Sequence, residues 1–406
     1  SKNRQVIPTH NDSEKLSVYS NDGTIKAVIR SIPFSKQFPV DTPKIGSDSS
    51  NVVFLEVFQD SELIATEILT AETGDIITHP SISSGLRLSP NNRYAAWVSA
   101  TKKNNARKSI FGYKVQTYDF KDYGEDIDGV YSTNLIIYDI TTRKTRIIGT
   151  PKNHGACKFC FASENVIILQ AVDLSSPRIQ GIRSYVNRPF HLFALNIRNP
   201  DHIEFHRLFE SNSIYLSPET FIFPNESEQE TVKVFCGRFV DDFGGHNGPS
   251  HLATFNLNLK DLTAHDYNES QEVYTISDIP LQPFINDHTI CLTIEDRCKF
   301  VPISVDLDTF HITKLIPDTN DSIIIDDYRN GKYLIRLSSP IETPRFAIFS
   351  SNSIDYLTKS TTFDQLTYQI LYNDNYNDAI LILSPGEKKK FIVSPHGGPH
   401  GMFSTY

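Results

Sequence analysis

The chain has 406 residues, of which 39% are hydrophobic, and it carries a formal net charge of −9 at pH 7. This composition is typical of a globular protein and unlike that of a disordered chain. The negative charge argues against nucleic acid or an anionic membrane as partner, because both select a concentrated basic face. No apolar run approaches the length that spans a bilayer, so we expect neither a nucleic-acid nor a membrane partner.

Cysteine usage points to a reducing compartment. The five cysteines are too few and too scattered for a disulfide scaffold, and no secretory signal precedes them, so we expect a cytoplasmic protein. Cys157 and Cys160, with His154 nearby, suggest a zinc site. Such a site needs four ligands, usually from two such cysteine pairs, and Cys291 and Cys298 do not form a matching pair. Cys157 and Cys160 lie in an apolar, strand-like stretch, so we predict buried thiols and neither a metal nor a cofactor.

From Leu16 to Phe363 the pattern is one of short strands and polar turns, with almost no sustained helical period. Tyr and Phe are abundant, which favours strands. The strands group into six similar units. These units span Ser17–Arg30 with Val52–Thr70, Leu86–Val98 with Asn134–Gly149, Cys157–Val172 with His191–Phe209, Tyr215–Phe239 with His251–Tyr267, Leu281–Glu295 with Lys299–Leu315, and Ile323–Leu337 with Arg345–Thr358.

Each unit has an inner hairpin and an outer hairpin, and the excess length falls in loops at Ser31–Ser50 and Ala100–Thr133. Asn21-Asp22-Gly23 is predicted as the turn of the first inner hairpin. A mainly β fold, with a β-propeller at 1–363, fits a repeat that keeps its order. A pair of β-sandwiches with similar hairpins is the alternative.

The pattern changes after Phe363. Strands are predicted at Gln369–Asp374, Asp378–Leu383 and Phe391–Val393, with a turn at Ser384-Pro385-Gly386. This succession is typical of the antiparallel strands that open an α/β-hydrolase sheet. We therefore predict that 364–406 begins an α/β-hydrolase domain.

The last predicted strand leads into His396-Gly397-Gly398-Pro399. In α/β-hydrolases a glycine-rich loop of this kind turns backbone N–H groups towards a developing oxyanion. A Gly-Pro turn after a strand is the simpler alternative. The nucleophile elbow Gly-x-Ser-x-Gly should follow the loop, but it occurs nowhere in the sequence. The nucleophile, acid and base are therefore not expected in this chain.

Several segments resemble the prolyl oligopeptidase family of serine peptidases, and within it the acylaminoacyl peptidases. The resemblance covers most of the chain and is densest at His396–His400 with Phe403, Tyr376–Leu381, Asp22–Arg30, Phe54–Val57, Thr101–Phe111, Asp122–Glu125, Gly181–Arg183 and Asn187–Arg188. It implies a seven-bladed propeller, of which six units are visible here. We therefore expect a fragment that lacks its N-terminal start and most of its catalytic domain.

The resemblance also implies an activity. The family member would be a cytosolic, oligomeric serine exopeptidase that needs no cofactor and releases an N-acylated amino acid from short peptides. Its propeller would restrict substrate size. Gly398 would supply a backbone oxyanion donor, with Gly397 and His396 supporting the loop, and the missing C-terminal catalytic portion would be its partner.

Other interpretations stay open at this point. Arg183 and Arg188 either contact substrate or form hydrogen bonds between blades. His246, in a glycine-rich loop, lacks the following Lys-Ser/Thr of a phosphate site. A dipeptidyl peptidase or an oligopeptidase of the same family is an alternative activity, and a non-catalytic propeller that serves as an interaction platform is an alternative of another class.

Overall fold

The structure is a computed structural model. It describes residues 14–33, 51–78, 83–103, 109–110, 113–114, 130–175, 189–199, 202–210, 215–220, 230–239, 250–280, 282–317, 319, 321–350, 353–363, 365–372 and 378–386. These residues form antiparallel sheets and one short helix, α1 (Ala71–Gly74). In these ranges, no helix is long and apolar enough to cross a membrane.

The described residues divide into two compact units, and the first holds those up to Val232 together with Leu257–His265. Its first sheet has the order β1-β2-β3-β4, formed by Glu14–Tyr19, Ile25–Pro33, Asn51–Gln59 and Glu62–Ile68. Its second sheet has the order β10-β9-β6-β5, and β7 pairs with β8; the six strands β5 to β10 are Arg87–Leu88, Tyr94–Lys103, Ser109–Ile110, Tyr113–Lys114, Val130–Asp139 and Lys144–Gly149. Its third sheet has the order β11-β12-β13-β14, formed by His154–Phe161, Val166–Asp173, Phe190–Asn196 and Phe205–Arg207. Strand β15 is Tyr215–Thr220.

The second unit holds the remaining described residues. One sheet has the order β16-β17-β18-β20-β21-β22, with β19 paired to β20; strands β16 to β22 are Thr231–Phe239, Ser250–Asn258, Ala264–Asp278, Phe284–Asn286, Thr289–Asp296, Lys299–Asp306 and Ile312–Lys314. Another has the order β23-β24-β25-β26, formed by Ser322–Arg329, Lys332–Ser339, Glu342–Ser350 and Ser353–Tyr356. The last two strands, β27 (Thr367–Leu371) and β28 (Ala379–Leu383), pair with each other.

Each of the six predicted units coincides with four successive strands: β1 to β4, then β5, β6, β9 and β10, then β11 to β14, β15 to β18, β19 to β22, and β23 to β26. The mainly β fold is therefore confirmed. The predicted loop at Ala100–Thr133 is partly wrong, because β6 continues to Lys103, β9 begins at Val130 and the small β7–β8 pair lies between them. The seven-bladed ring and the boundary at 363 stay predictions.

The inner strands of the units are buried on both faces. In the third sheet, β12 is buried at every residue but its last, and the same is true of β13. The outer strand β14 has no buried residue, and neither has β10 of the second sheet. Strands covered on both faces have continuous apolar runs instead of alternation, which explains why the sequence pattern shows runs such as Val166–Leu169.

The first and second sheets each contain a turn with the same hydrogen bonds. The Ile25 N–H donates to the Ser20 hydroxyl at 2.9 Å, and the Tyr94 N–H donates to the Ser89 hydroxyl at the same distance. In each turn the backbone N–H of the serine also donates to the carbonyl oxygen of its partner at 2.8 Å. The two turns therefore use one bonding scheme at equivalent places in two sheets.

The centres of the two turns also match. Asp22 and Asn91 accept a hydrogen bond from the backbone N–H two residues further on, at 3.0 and 3.1 Å. Gly23 and Asn92 have positive φ angles of 76° and 58°, a conformation that Gly and Asn adopt more readily than other residues. The predicted turn at 21–23 is thus confirmed, and the internal repeat extends to individual hydrogen bonds.

We predict that Ser20→Ala and Ser89→Ala each lower the free energy of unfolding by about 1–2 kcal/mol, because a buried backbone N–H then loses its acceptor. Both serines are buried, with exposed fractions of 2% and 1%. Urea titration followed by circular dichroism measures the change. Ser350→Ala is the control, since the Ser350 hydroxyl makes no hydrogen bond within the described ranges. Equal effects in all three variants would refute the role of the turn.

An ion pair joins β16 to β18 in the second unit. Arg238 donates from Nε and Nη2 to the two carboxylate oxygens of Glu269, at 2.7 and 3.1 Å. The Tyr267 hydroxyl donates to the same carboxylate at 2.9 Å. The hydrogen bonds from Arg238 hold the pKa of Glu269 below its usual value although partial burial opposes them, and that from Tyr267 acts in the same direction.

The pH dependence of stability follows from that lowered pKa. A carboxylate with a depressed pKa in the folded state stabilises the protein above its unfolded pKa, and this stabilisation disappears as the pH falls through the folded value. We expect Arg238→Gln to lower the free energy of unfolding by about 1–2 kcal/mol at pH 7, and by progressively less below about pH 4.5. Urea titrations at pH 3 and pH 7 measure the difference, with Arg238→Gln/Glu269→Gln as control. An undiminished effect at pH 3 would argue against the ion pair.

Candidate functional site

The predicted catalytic and binding residues lie outside the described ranges. They are His396, Gly397, Gly398, Arg183 and Arg188. His246 and the predicted strand at Phe391–Val393 also lie outside them. The roles assigned to these residues therefore stay predictions, and the structure describes the hairpin that precedes the His-Gly-Gly-Pro motif in the chain.

That hairpin consists of β27 and β28. The register pairs Thr367 with Leu383 and Leu371 with Ala379, which confirms the two predicted strands with β27 beginning two residues earlier and ending three residues earlier. After β28, Gly386 has a φ of 98°, a conformation that favours glycine. This confirms a bend in the backbone at the predicted turn.

An ion pair holds the start of β28. The carboxylate of Asp378, whose side chain is only 5% exposed, lies 3.5 Å from Nη1 of Arg297 in the turn between β20 and β21. The guanidinium of Arg297 also lies 5.1 Å from the centre of the Tyr372 ring, just after β27. One arginine thus contacts the residue that follows β27 and the residue that precedes β28. The attraction of its cation to the aromatic face of Tyr372 adds to the ion pair.

A second group of charged side chains lies beside Tyr368 of β27. Arg345 lies 3.7 Å from Asp321 and 3.2 Å from Glu342, and its guanidinium lies 4.5 Å from the ring centre of Tyr356. Burial raises the pKa of Asp321, against the effect of Arg345. The loss of solvation exceeds the attraction of the nearby cation, so this carboxyl group releases its proton less readily than an exposed aspartate.

Tyr368 of β27 faces this group. Burial raises the pKa of its phenol, and the charge of Asp321 raises it further. Tyr368 therefore stays neutral at physiological pH and is able to donate a proton in a hydrogen bond, but not to act as a phenolate base. The arrangement supports the hairpin, and nothing in it forms a nucleophile–base pair of the kind that covalent catalysis needs.

Large apolar side chains are exposed on both faces of the hairpin. Leu371 and Ile382 are 43% and 51% exposed, and Tyr372 is 52% exposed. Phe363, ahead of β27, is 54% exposed. Two-stranded hairpins are marginally stable unless further strands or a helix cover them. The described hairpin therefore offers a surface on which additional structure packs favourably.

All five cysteines are free and buried. Cys157 and Cys160 lie in β11 and are buried, as the sequence predicts. Burial raises the pKa of Cys157 well above its usual value, and it raises that of Cys236 and Cys291 to about 12. Such thiols carry almost no thiolate at neutral pH, and thiolate is the nucleophile. Within the part of the chain that the structure describes, no group of three or more His, Cys, Asp or Glu side chains could hold a metal ion.

His154 lies against another histidine. Its Nε2 lies 3.0 Å from Nδ1 of His191, and its Nδ1 lies 2.8 Å from the carbonyl oxygen of Lys152. His191 comes from β13 and is buried. His154 and Cys157 are close in sequence because both belong to β11, and the side chain of His154 contacts His191 of β13.

The contacts that hold the hairpin have no signal in the sequence. Asp378 and Arg297 are far apart in the chain, and each is an ordinary polar residue next to a turn. The apolar pattern of β27 and β28 predicts the strands, but only the tertiary arrangement brings the arginine to them. The contact between Arg345 and Asp321 likewise depends on the tertiary arrangement.

Comparisons with known proteins complete the description. No family model and no curated protein matches the sequence. Among solved structures, one from a study of two prolyl endopeptidases matches with a TM-score of 0.51 and 8% identity, over 91% of this chain and 46% of the other. An acylaminoacyl peptidase from Pyrococcus horikoshii matches with a TM-score of 0.48 and 8% identity, over 89% of this chain and 47% of the other.

The β-propeller domain of the trilobed protease from Pyrococcus furiosus matches with a TM-score of 0.46 and 10% identity, over 93% of this chain and 97% of that domain. All three are peptidases or parts of peptidases. The chain spans just under half of the first two structures. At 8% identity, the score of 0.51 shows a likeness of fold to the prolyl endopeptidase structure, and the two lower scores add nothing to it.

We predict that Arg297→Ala loosens the β27–β28 hairpin, because Asp378 then keeps a buried charge with its cation removed. Amide hydrogen exchange in 367–383 should become about 10-fold faster or more, since a loss of about 1.4 kcal/mol in local stability corresponds to that factor. Arg297→Ala/Asp378→Asn should recover part of the protection. Unchanged exchange across the hairpin in Arg297→Ala would show that the arginine does not hold it.

Proposed function

We propose that this chain forms the size-restricting β-propeller and the oxyanion loop of a serine peptidase of the prolyl oligopeptidase type, acting on short N-acylated peptides. The observation that carries the proposal is the motif His396-Gly397-Gly398-Pro399, which follows the β27–β28 hairpin after six four-stranded units. Repeated strands, a hairpin and a glycine-rich loop occur here in the order that such a peptidase requires.

Two structural features support the proposal. The exposed apolar side chains of the hairpin, Leu371 on one face and Ile382 on the other, suit the packing of further structure against it. The contacts of Arg297 with Asp378 and Tyr372 fix the hairpin that leads to the loop. A catalytic loop needs such support, since donors act on a transition state only when they are held in place.

The proposed chemistry assigns each residue a task. The backbone N–H of Gly398 donates to the oxyanion of the tetrahedral intermediate, while Gly397 and His396 shape the loop. Arg183 and Arg188 contact the peptide substrate. The serine nucleophile, its base and its acid come from a catalytic portion beyond these 406 residues, and the assembled enzyme is a cytoplasmic homo-oligomer that uses no cofactor.

The substrate class is proposed from the sequence resemblance to acylaminoacyl peptidases. The test measures hydrolysis of acetyl-Ala-p-nitroanilide by the 406-residue chain alone and by the chain extended with its catalytic portion. We expect turnover only by the extended protein. A free alanine p-nitroanilide should react much more slowly, because the acyl group defines the substrate. Equal rates on both would favour an aminopeptidase or an oligopeptidase, and turnover by the chain alone would show that its nucleophile lies within it.

We predict that Gly398→Pro lowers kcat of the extended enzyme by about 10²–10³, because proline has no backbone N–H and one oxyanion donor is lost. Gly398→Ala keeps the N–H and serves as the matched control, with a much smaller loss expected. Burst and steady-state kinetics with the acetylated substrate measure both. If the two variants lose equal activity, the loop acts through its shape and not through the donor.

A further inference from the structure

A small pocket with a basic rim lies on one face of the second sheet, in the first unit. Its volume is about 130 Å³. We call it the basic pocket; its charged side chains are Arg93, Lys144, Arg146 and Arg198, with the carboxylate of Asp139 among them. Its apolar lining comes from Tyr94, Ile137, Ile148 and Ile197.

The strand register explains why these side chains converge. On β10, Lys144 and Arg146 are two residues apart and point to the same face of the sheet. On β9, Asp139 and Ile137 lie directly opposite them, and directly opposed residues of antiparallel strands share a face. Tyr94 of β6 pairs with Asp139 from the other side. Three neighbouring strands thus contribute to one face.

The third sheet completes the pocket. Ile197 and Arg198 follow the end of β13, and Ile197 is only 2% exposed. The Ile197 N–H donates to the carbonyl oxygen of Asn165 at 2.8 Å, and the Arg198 N–H donates to the side chain of Asn196 at 2.9 Å. These bonds fix the backbone that carries Arg198 beside the pocket.

Asp139 does not neutralise the whole rim. Its carboxylate accepts hydrogen bonds from Arg93 at 3.0 Å and from the backbone N–H groups of Thr141 and Thr142 at 2.9 and 3.0 Å. Although burial would raise the pKa of Asp139, the bonds from Thr142 and Arg93 hold it below its usual value. Its charge is therefore matched within the site by one arginine and two backbone dipoles.

Three cations remain. Lys144, Arg146 and Arg198 form no ion pair with any described residue. They lie around one pocket in a chain whose net charge is −9, so this local excess of positive charge runs against the balance of the whole protein. All three side chains are exposed, and a cluster of like positive charges around one pocket attracts anions to it.

The size of the pocket limits what that anion is. Pockets for drug-sized ligands measure about 300–1,000 Å³. The basic pocket, at about 130 Å³, is well below that range, so it suits a small anion such as a tetrahedral oxyanion. Arginine matches the oxygens of phosphate with paired donors.

We propose that the basic pocket binds a phosphate group, either inorganic phosphate or the phosphate of a small phosphomonoester. Arg146, Lys144 and Arg198 contact the phosphate oxygens, and the pairing with Asp139 holds Arg93 at the rim. The isoleucine floor accommodates the methyl or methylene group of an ester.

Isothermal titration calorimetry of the 406-residue chain at pH 7.5 and constant ionic strength tests this, with inorganic phosphate and methyl phosphate as probes and chloride as the reference. We expect saturable one-to-one binding of at least one probe. Binding of inorganic phosphate alone identifies free phosphate as the ligand, and binding of methyl phosphate with equal or higher affinity identifies an organic phosphate. Absence of saturable binding for both probes overturns the proposal.

Variants locate the site. Lys144→Gln/Arg146→Gln should weaken binding at least 10-fold, and Arg198→Gln several-fold, because each removes a charge-assisted hydrogen bond. The control is Lys260→Gln/Lys359→Gln, which removes two exposed cations elsewhere and should leave binding unchanged. An equal loss of affinity in the control would show that phosphate binding depends only on the net charge of the protein, and it would overturn the proposed site.

Hydrogen exchange of the unaltered chain tests the site independently of whether the variants fold. Saturating phosphate should slow amide hydrogen exchange in β9 and β10, and should leave exchange in β27 and β28 unchanged. Phosphate that changes exchange in both regions equally, or in neither, overturns the proposal.

Discussion

Burial of the inner strands on both faces is the constraint on which this structure depends. A strand such as β12, covered along nearly its whole length, is stable only with another layer on each side. The chain meets this requirement by repeating the same four-stranded unit, so that each sheet leaves an exposed outer strand and keeps its apolar residues inside. The serine-anchored turn occurs at both Ser20 and Ser89, where the first two repeats make the same tight connection.

The β27–β28 hairpin departs from that scheme, and the departure bears on function. It has two strands where the preceding units have four, and large apolar side chains are exposed on both of its faces. It is held by Arg297 from an earlier turn. In the function proposed here, this anchored hairpin precedes the glycine-rich loop and supports it.

The strands were predictable from the sequence because their signal is local. Apolar runs bounded by Asn, Asp, Gly and Pro identified all six units, and the buried environment of Cys157 and Cys160 followed from their place in such a run. Long-range contacts carry no such signal. The partners Arg297 and Asp378 come from separate turns, and the cations of the basic pocket come from three strand regions. The loop between β6 and β9 was predicted too long because β6 ends in the polar run Thr101–Lys103, and β9 begins with only two apolar residues, Val130 and Tyr131, before Ser132 and Thr133.

The candidate oxyanion residues were predictable as a motif only, since the role proposed for them depends on a nucleophile that no motif in this sequence supplies. The central claim is therefore that this chain provides the oxyanion loop and the catalytic serine lies outside it. Labelling the extended protein with a fluorophosphonate, which reacts with activated serines, followed by mass mapping of the labelled peptide, tests this most directly. The account predicts a single labelled serine beyond Tyr406 and no label on the 406-residue chain alone. A labelled serine within residues 1–406 would contradict it.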